Sequence, residues 1–422
     1  MSKKLVLITF VVSLGGFLFG FDAGIISGVM SYAGPEFDLN DIQSGWVVSS
    51  PSFAAMIAMV FSGRLSDIIG RKKILIVVAF LYAFSALFSA YAPSYEVLYI
   101  ARMLGGLAFG AALVLAPTYI AEISTAENRG KLVSIQQLNI VLGFFAAFLS
   151  NYYFNKYNTI DNTIFTDENV WRWMLGVELI PAVFYFIFLF FIPKSPRWLF
   201  TKNRKNEAQQ VLVSVYGEIK AKEETNTILN SLKGKAPNSE DKVKLKDLFK
   251  PALKFVLIVG LVVGVLQQIT GINAVYFYAT SIFKQTGIGT DAAFASGILL
   301  SSVTVIFTLI AMYLIDRVGR RPLLLIGTAG IAISLILCAY GFKQANYKLT
   351  QESIAELKFD DAYKLSIFAN KIYDNDVDFK NCVWIDEQII IAQIETLFER
   401  FPISVVKIGI IESWEILLEV IQ

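Results

Sequence analysis

Long apolar stretches, each of about twenty residues or more, recur along this 422-residue chain, in which 55% of the residues are hydrophobic. A stretch of this length predicts a transmembrane helix, because a helix of about 20 residues crosses a hydrocarbon core about 30 Å thick. We therefore predict an all-α, polytopic membrane protein. Its nine predicted spans are 5–32, 44–66, 72–92, 96–120, 132–154, 171–193, 253–285, 291–315 and 321–342.

Positive charges alternate between the predicted loops. Lys3 and Lys4 precede the first span, and further cations follow the second, fourth and eighth spans, whereas the intervening loops carry acids such as Glu36, Asp38 and Glu96. Cytoplasmic loops are enriched in Lys and Arg. The alternation predicts a cytoplasmic N-terminus, an external segment after the ninth span, and a multi-pass protein of the cell (inner) membrane embedded in lipid.

Composition excludes several classes of function. A net charge of +2 does not suggest a nucleic-acid partner. The two cysteines, Cys338 and Cys382, form neither a disulfide framework nor a metal site, and we predict no metal, cofactor or catalytic residue. Because histidine is absent, proton chemistry inside the membrane must use a carboxylate.

A short polar motif occurs twice, as GRLSDIIGRKK at Gly63–Lys73 and as DRVGRRP at Asp316–Pro322. Each copy contains an acid, a glycine that permits a tight turn, and adjacent cations. The repetition predicts two related halves of the chain; the alternative is two unrelated basic loops, which are common in membrane proteins. Within the copies, the acids can pair with the cations, Asp67 with Arg71 and Asp316 with Arg320.

Other charged residues lie close to the same loops. The sequence PTYIAEISTAENRGK places Glu122 and Arg129 on either side of a turn, and PKSPRWL places Arg197 just after the sixth span. We predict that they join the repeated motif in an intracellular gating network, which holds one conformation and breaks in another. As isolated surface salt bridges, the same pairs would contribute little.

An acid lies in the middle of the first predicted span. A charge at that depth is costly and usually functional, so we predict that Asp22 couples transport to protons and that Arg102 of the fourth span is its partner. Protonation of Asp22 would release the pair. The alternative is a structural salt bridge.

Uncharged amides mark the seventh predicted span, where QQITGIN contains Gln267, Gln268 and Asn273 on one continuous predicted helix. Amides offer both donors and acceptors, as a neutral polyhydroxyl ligand requires. Gln137 of the fifth span is a fourth amide at membrane depth, and Phe19 belongs to a set of aromatics suited to stacking on a sugar. The alternative is that these amides only join helices.

These motifs, in this order, resemble those of the sugar porter family of the major facilitator superfamily, over about residues 5–342. The resemblance implies two six-helix bundles with alternating access around a central sugar site, and it is nearest to bacterial proton-coupled xylose and hexose symporters. It implies that the substrate is xylose, glucose or a similar monosaccharide and that protons are transported with it. By motif, it implies sugar contacts from Phe19, Gln137, Gln267, Gln268, Asn273, Phe277 and Thr304, and a proton site at Asp22 with Arg102.

Some residues depart from the family pattern. Lys194 replaces the usual Glu of PESPR, Phe277 replaces the first Tyr of a tyrosine pair, and Thr304 stands where the family commonly has Asn. These changes can alter sugar selectivity.

Beyond 342 the chain departs further, because the family's last three helices are not found. We predict an N-terminal bundle at 1–193, a cytoplasmic helical link at 194–252, three helices of a second bundle at 253–342, an extracytoplasmic insertion at 343–382 and a foreign tail at 383–422. The tail resembles a fragment of hydroxymethylpyrimidine (phosphate) kinase. We therefore expect the chain to be a C-terminally truncated porter that inserts poorly and transports little.

Three other functions are consistent with parts of the sequence. A passive sugar facilitator would not need Asp22. A sugar sensor would bind without transport and typically carries a cytoplasmic signalling tail. A fusion of transporter and kinase would need an intact kinase domain, which about forty residues do not supply. We therefore predict proton-coupled monosaccharide symport rather than an enzyme.

Overall fold

The computed structural model describes residues 2–159, 165–166, 168–233, 251–285, 290–343, 347–348 and 372–373. It divides into two compact units, Met1–Phe277 and Tyr278–Gln422, hereafter unit 1 and unit 2. In the described residues, unit 1 contains α1 Lys3–Glu36, α2 Asp41–Ile69, α3 Arg71–Ala90, α4 Tyr95–Ile123, α5 Arg129–Thr159, α6 Val170–Gly176, α7 Leu179–Leu189, α8 Pro196–Thr201, α9 Lys205–Tyr216, α10 Glu218–Lys233, α11 Pro251–Ile269 and α12 Ile272–Phe277.

Unit 1 is a bundle in which α1 packs along α5 and α2 packs along α4, while α3 contacts both α4 and α7. Close approach depends on small residues: a Cβ on Gly20 of α1 would lie 1.9 Å from the carbonyl oxygen of Ile140 on α5, and one on Gly143 would lie 2.1 Å from that of Phe17. Membrane helices associate through such close packing contacts. Burying apolar side chains against each other gives little gain there, because the surrounding lipid is equally apolar. The spacing of the helices inside unit 1 therefore depends on close backbone contacts as well as on the packing of apolar side chains.

The turns within the repeated motif adopt the conformation that their glycines predict. Gly70 separates α2 from α3 with φ +107°, and Gly319, with φ +87°, separates the helices Thr290–Val318 and Arg320–Lys343, named α14 and α15. Gly70 also has little room for a side chain, because a Cβ there would lie 3.0 Å from the ring of Trp198. The prediction of a tight glycine turn in both copies is confirmed.

Eight helical stretches of the described residues, two of them with a short break, are long and apolar enough to cross a membrane; six lie in the first half of the chain and two after the link. The apolar part of α15, Arg321–Leu337, is shorter than these eight stretches. All nine predicted spans are therefore helical, and their ends differ from the predicted ones by a few residues. The predicted all-α membrane fold is confirmed for the part of the chain described.

Two predicted spans are interrupted, contrary to the sequence-based expectation of continuous helices. The span predicted at 171–193 ends at Gly176 and resumes at Leu179. Pro181 explains this break, because its ring lacks an N–H and clashes with the carbonyl of Val177 four residues earlier. The span predicted at 253–285 breaks at Gly271, whose φ is +82°, and again at Tyr278.

The predicted helical link contains α8, α9 and α10, whose apolar residues pack together around Leu199 and Leu212. Positions 234–250 of the link lie outside the described residues.

Unit 2 contains α13 Ala279–Gln285, α14 Thr290–Val318, α15 Arg320–Lys343 and one antiparallel pair of two-residue strands, β1 Tyr347–Lys348 and β2 Ile372–Tyr373. Most of the predicted insertion at 343–382, and the whole predicted tail at 383–422, lie outside the described residues.

Candidate functional site

The mid-membrane acid and its predicted partner form a buried ion pair. Arg102 of α4 donates from Nη1 to Asp22 Oδ1 at 3.0 Å and from Nη2 to Oδ2 at 3.3 Å, and its Nε donates to the carbonyl oxygen of Val47 on α2 at 3.3 Å. The Arg102 side chain is 2% exposed and that of Asp22 10%. The planar guanidinium matches the carboxylate through two parallel hydrogen bonds. One pair thus links α1, α2 and α4.

A second buried acid belongs to this region, and sequence reasoning missed it. Glu178 lies in the break between α6 and α7 and is 4% exposed. Both helices that flank it, α6 and α7, contact α1, the helix that carries Asp22. The sequence did contain a signal, since an acid within a predicted span three residues before Pro181 is as unusual as Asp22 itself.

Aromatic rings of unit 1 form a continuous cluster beside the predicted sugar-binding positions. The half-buried Phe19 ring lies 4.9 Å from that of Phe109 and 6.5 Å from that of Phe144, and Phe144 lies 4.5 Å from Tyr276 of α12. Gln137 is two turns before Phe144 on α5 and is also half-buried. Phe19, Gln137 and the whole QQITGIN stretch therefore lie within unit 1.

The amides of QQITGIN do not share one continuous helix, which corrects the predicted arrangement. Gln267 and Gln268 lie on α11 and Asn273 on α12, and Asn273 Nδ2 donates to Gln268 Oε1 at 2.9 Å across the break at Gly271. Phe277 ends α12 and is half-buried. Of the predicted sugar contacts, Thr304 alone lies in unit 2, on α14, where its buried hydroxyl donates to the carbonyl of Leu300 at 3.0 Å.

A charged network occupies the end of unit 1 that carries the Gly70 turn, hereafter the basic end. Arg71 Nη2 lies 2.5 Å from Asp67 Oδ1 and 2.9 Å from Glu122 Oε1. Ser195 donates to Glu122 Oε2 at 2.5 Å, and Trp198 Nε1 donates to the carbonyl oxygen of Asp67 at 3.0 Å. Arg71 and Glu122 are largely buried, so this pair is screened less than a surface salt bridge.

Two other predicted members of the gating network, Arg129 and Arg197, are not part of this cluster in the described conformation. Arg129 is exposed and its charge acts on Glu224 of α10 instead, and Arg197, half-buried at the start of α8, has no ion pair among the described contacts. The side chains of Asp316 and Arg320 lie outside the described residues. Lys194, the residue that reverses the family's charge, lies 3.5 Å from Glu207 of α9.

Comparison with known proteins gives consistent matches over most of the chain. The family model described as "Sugar (and other) transporter" matches residues 8–356. The arabinose-proton symporter of Bacillus subtilis (strain 168) is 39% identical over 337 residues, which cover 80% of this chain and 71% of that protein. The galactose-proton symporter of Escherichia coli (strain K12) is 38% identical over 324 residues, 76% of this chain and 66% of that protein.

A solved structure shares the fold. The proton:xylose symporter XylE of the major facilitator superfamily, bound to 6-bromo-6-deoxy-D-glucose, superposes with a TM-score of 0.71 at 26% sequence identity. The superposition covers 100% of this chain and 88% of that chain.

Proposed function

This chain belongs to the family of sugar (and other) transporters, the sugar porters of the major facilitator superfamily, and from that premise we propose that it moves a monosaccharide across a membrane together with protons. It is a multi-pass membrane transporter and not an enzyme. We further propose that it lies in the cytoplasmic membrane with a cytoplasmic N-terminus, for which the alternation of loop charges is the support. The basic end of unit 1 is then the cytoplasmic side.

The observation that carries the proposal of proton coupling is the Asp22–Arg102 ion pair. A carboxylate at this depth is stabilised only while Arg102 neutralises it and donates two hydrogen bonds to it. A proton on Asp22 removes the charge that Arg102 binds, so the pair loses its electrostatic attraction. Arg102 also bonds to Val47, and its release therefore loosens α1, α2 and α4 together.

The proposed sugar site combines amides with aromatic rings. Gln137, Gln267, Gln268 and Asn273 supply donors and acceptors without charge, which suits a neutral polyhydroxyl substrate. Phe19, Phe277 and Thr304 complete the set proposed from family motifs. The relatives named above handle arabinose, galactose and xylose with protons, so we propose an aldopentose or aldohexose, such as xylose or glucose, as the substrate.

The proposed gating network rests on the contacts at the basic end. Arg71 joins the loop between α2 and α3 to Glu122 at the end of α4, and Ser195 joins Glu122 to the start of α8. We propose that these contacts hold one conformation of the transport cycle. Asp316 and Arg320 would serve the second copy of the motif, while Arg129 and Arg197 would join only in another state.

The experiment compares Asp22→Asn with wild type in proteoliposomes that carry an inward proton gradient. We expect Asp22→Asn to abolish uphill accumulation of labelled xylose and to keep sugar exchange, because a neutral side chain mimics the protonated state permanently. Glu36→Gln is a matched control, since Glu36 also pairs with an arginine, Arg172, at 2.8 Å but is more exposed. Normal accumulation by Asp22→Asn would refute proton coupling through Asp22.

The same assay separates the remaining alternatives. A passive facilitator would equilibrate sugar in the wild-type protein without accumulation, and a sensor would bind sugar without exchange. The sequence-based expectation that the 422-residue chain transports little stays a prediction. For that reason uptake is normalised to incorporated protein, and sugar binding is measured separately by tryptophan fluorescence.

A further inference from the structure

A buried asparagine of α5 bonds to a side chain of α1. Asn139 Nδ2 donates a hydrogen bond to Ser13 Oγ, and the Ser13 hydroxyl donates to the carbonyl oxygen of Phe10 at 2.9 Å. Asn139 is 2% exposed and Ser13 is fully buried. A buried polar group between membrane helices is costly unless it is paired, so this contact favours one arrangement of α5 on α1.

Two more asparagines repeat this arrangement toward the other end of α5. Asn151 Nδ2 donates to the carbonyl oxygens of Gly24 and Ile25, at 3.3 and 3.2 Å. Asn155 Oδ1 accepts a hydrogen bond from the Tyr32 hydroxyl at 2.6 Å. Side-chain hydrogen bonds to α1 therefore occur at both ends of the contact between the two helices.

The asparagines belong to one row of α5, four positions apart, that packs along α1: Asn139, Gly143, Ala147, Asn151 and Asn155. In the middle of the row the two backbones come close together. A Cβ on Gly143 would lie 2.1 Å from the carbonyl oxygen of Phe17, and one on Gly24 would lie 2.8 Å from the Cβ of Ala147. Such backbone contacts set the distance between two helices, whereas paired polar side chains also fix their register and rotation.

Gln137, one of the proposed sugar contacts, lies close to the first bond of this row. It is two positions before Asn139, so the two side chains point about 160° apart around α5. Its neighbour Gln136 faces α1, where the Gln136 Cγ lies 3.2 Å from where a Cβ on Gly16 would stand. Gln136 is 5% exposed, whereas Gln137 is half-buried. Rotation of α5 about its axis would therefore change the exposure of both amides.

We propose that Asn139 is a positioning residue for the sugar site, because its bond to Ser13 fixes the rotation of α5 and so holds Gln137 toward the substrate. The proposal deepens the proposed sugar site and rests on it. Loss of the bond should leave α5 packed on α1, because Asn151 and Asn155 keep their bonds to α1 and the Ser13 hydroxyl keeps its bond within α1. The part of α5 around Gln137 would then adopt more than one rotation.

The test measures how fast a water-soluble maleimide labels a single cysteine at position 137 or at position 136, in the full chain without sugar. Cys338 and Cys382 are first replaced by serine. We expect Gln137→Cys to react faster than Gln136→Cys. Asn139→Ala should lower the ratio of the two rates about two- to tenfold, the change in population that loss of one hydrogen bond permits. In the chain that keeps both glutamines, it should weaken sugar binding by a similar factor.

Two further variants separate positioning from a general loss of stability. Ser134→Ala is the matched control and should leave the ratio unchanged, because the Ser134 hydroxyl bonds within α5, to the carbonyl oxygen of Gly130 at 3.0 Å. The exchange Ser13→Asn/Asn139→Ser rebuilds the pair with its partners reversed and should restore the ratio. If Asn139→Ala fails to fold, Ser13→Ala removes the acceptor instead, and the same fall is expected.

Equal ratios for Asn139→Ala and Ser134→Ala would overturn the proposal, as would a lower ratio with unchanged sugar affinity. A parent chain that bound no sugar would refute the proposed function, and the labelling ratio would still decide whether Asn139 sets the rotation of α5.

Discussion

The Arg102→Met variant should destabilise the bundle strongly, because it leaves the Asp22 carboxylate buried without a partner. Two charge-assisted hydrogen bonds are lost, at 3.0 and 3.3 Å, and the remaining carboxylate side chain is only 10% exposed. Removing one partner of a buried ion pair typically costs about 3–5 kcal/mol. We expect a loss in this range at neutral pH.

The double variant Asp22→Asn/Arg102→Met should recover much of that loss. A neutral amide without a partner costs about 1–3 kcal/mol, less than an unpaired buried charge. The assay is equilibrium unfolding in detergent micelles, followed by tryptophan fluorescence over a range of denaturant concentrations. Arg172→Met is the control at the partly exposed Glu36–Arg172 pair, where we expect about 1 kcal/mol or less. If Arg102→Met were as stable as Arg172→Met, or if Asp22→Asn gave no recovery, the pair would not be the buried electrostatic contact described.

Three further variants test other parts of the account. Gln137→Ala should weaken sugar binding about five- to tenfold, through loss of about one hydrogen bond, as measured by fluorescence titration. Gly70→Ala should destabilise the chain by about 1–3 kcal/mol in the unfolding assay, because φ is +107° and the ring of Trp198 lies 3.0 Å from the new Cβ; an unchanged midpoint would contradict this. Burial raises the pKa of Glu224. The nearby acids Glu223 and Glu127 raise this pKa further, whereas Arg129 lowers it. Since the folded pKa is the higher one, the stability from Glu224 is present below its ordinary pKa of 4.5 and is lost as pH rises. Glu224→Gln should therefore raise the unfolding temperature at pH 7 more than at pH 5, and an equal effect at both would contradict it.

Hydropathy and motif order were sufficient to predict the membrane fold and the family. The spans are long apolar helices, and the glycine turns follow from the need for a positive φ in both copies of the motif. The pairing of Asp22 with Arg102, 80 positions apart, followed from the cost of leaving either charge alone at that depth. These features follow from short stretches of sequence, or from the absence of water in the membrane interior.

What the sequence did not predict depends on tertiary packing. The break at Val177–Glu178 arises from Pro181 and leaves Glu178 buried within the bundle, which apolar periodicity alone does not reveal. The contact of Trp198 with Gly70 joins segments more than a hundred positions apart. Arg129 was predicted to join the gating network. Its proximity to Glu224 depends on how α10 packs in unit 1, which the sequence does not show.

The most direct test of the account is the movement of protons on addition of sugar. Proteoliposomes containing the chain are suspended in weakly buffered medium, xylose is added, and external pH and internal sugar are followed together. The account predicts external alkalinisation in step with sugar entry for wild type, and sugar exchange without any pH change for Asp22→Asn. Sugar entry by the wild-type chain without alkalinisation, or alkalinisation that persists in Asp22→Asn, would contradict it.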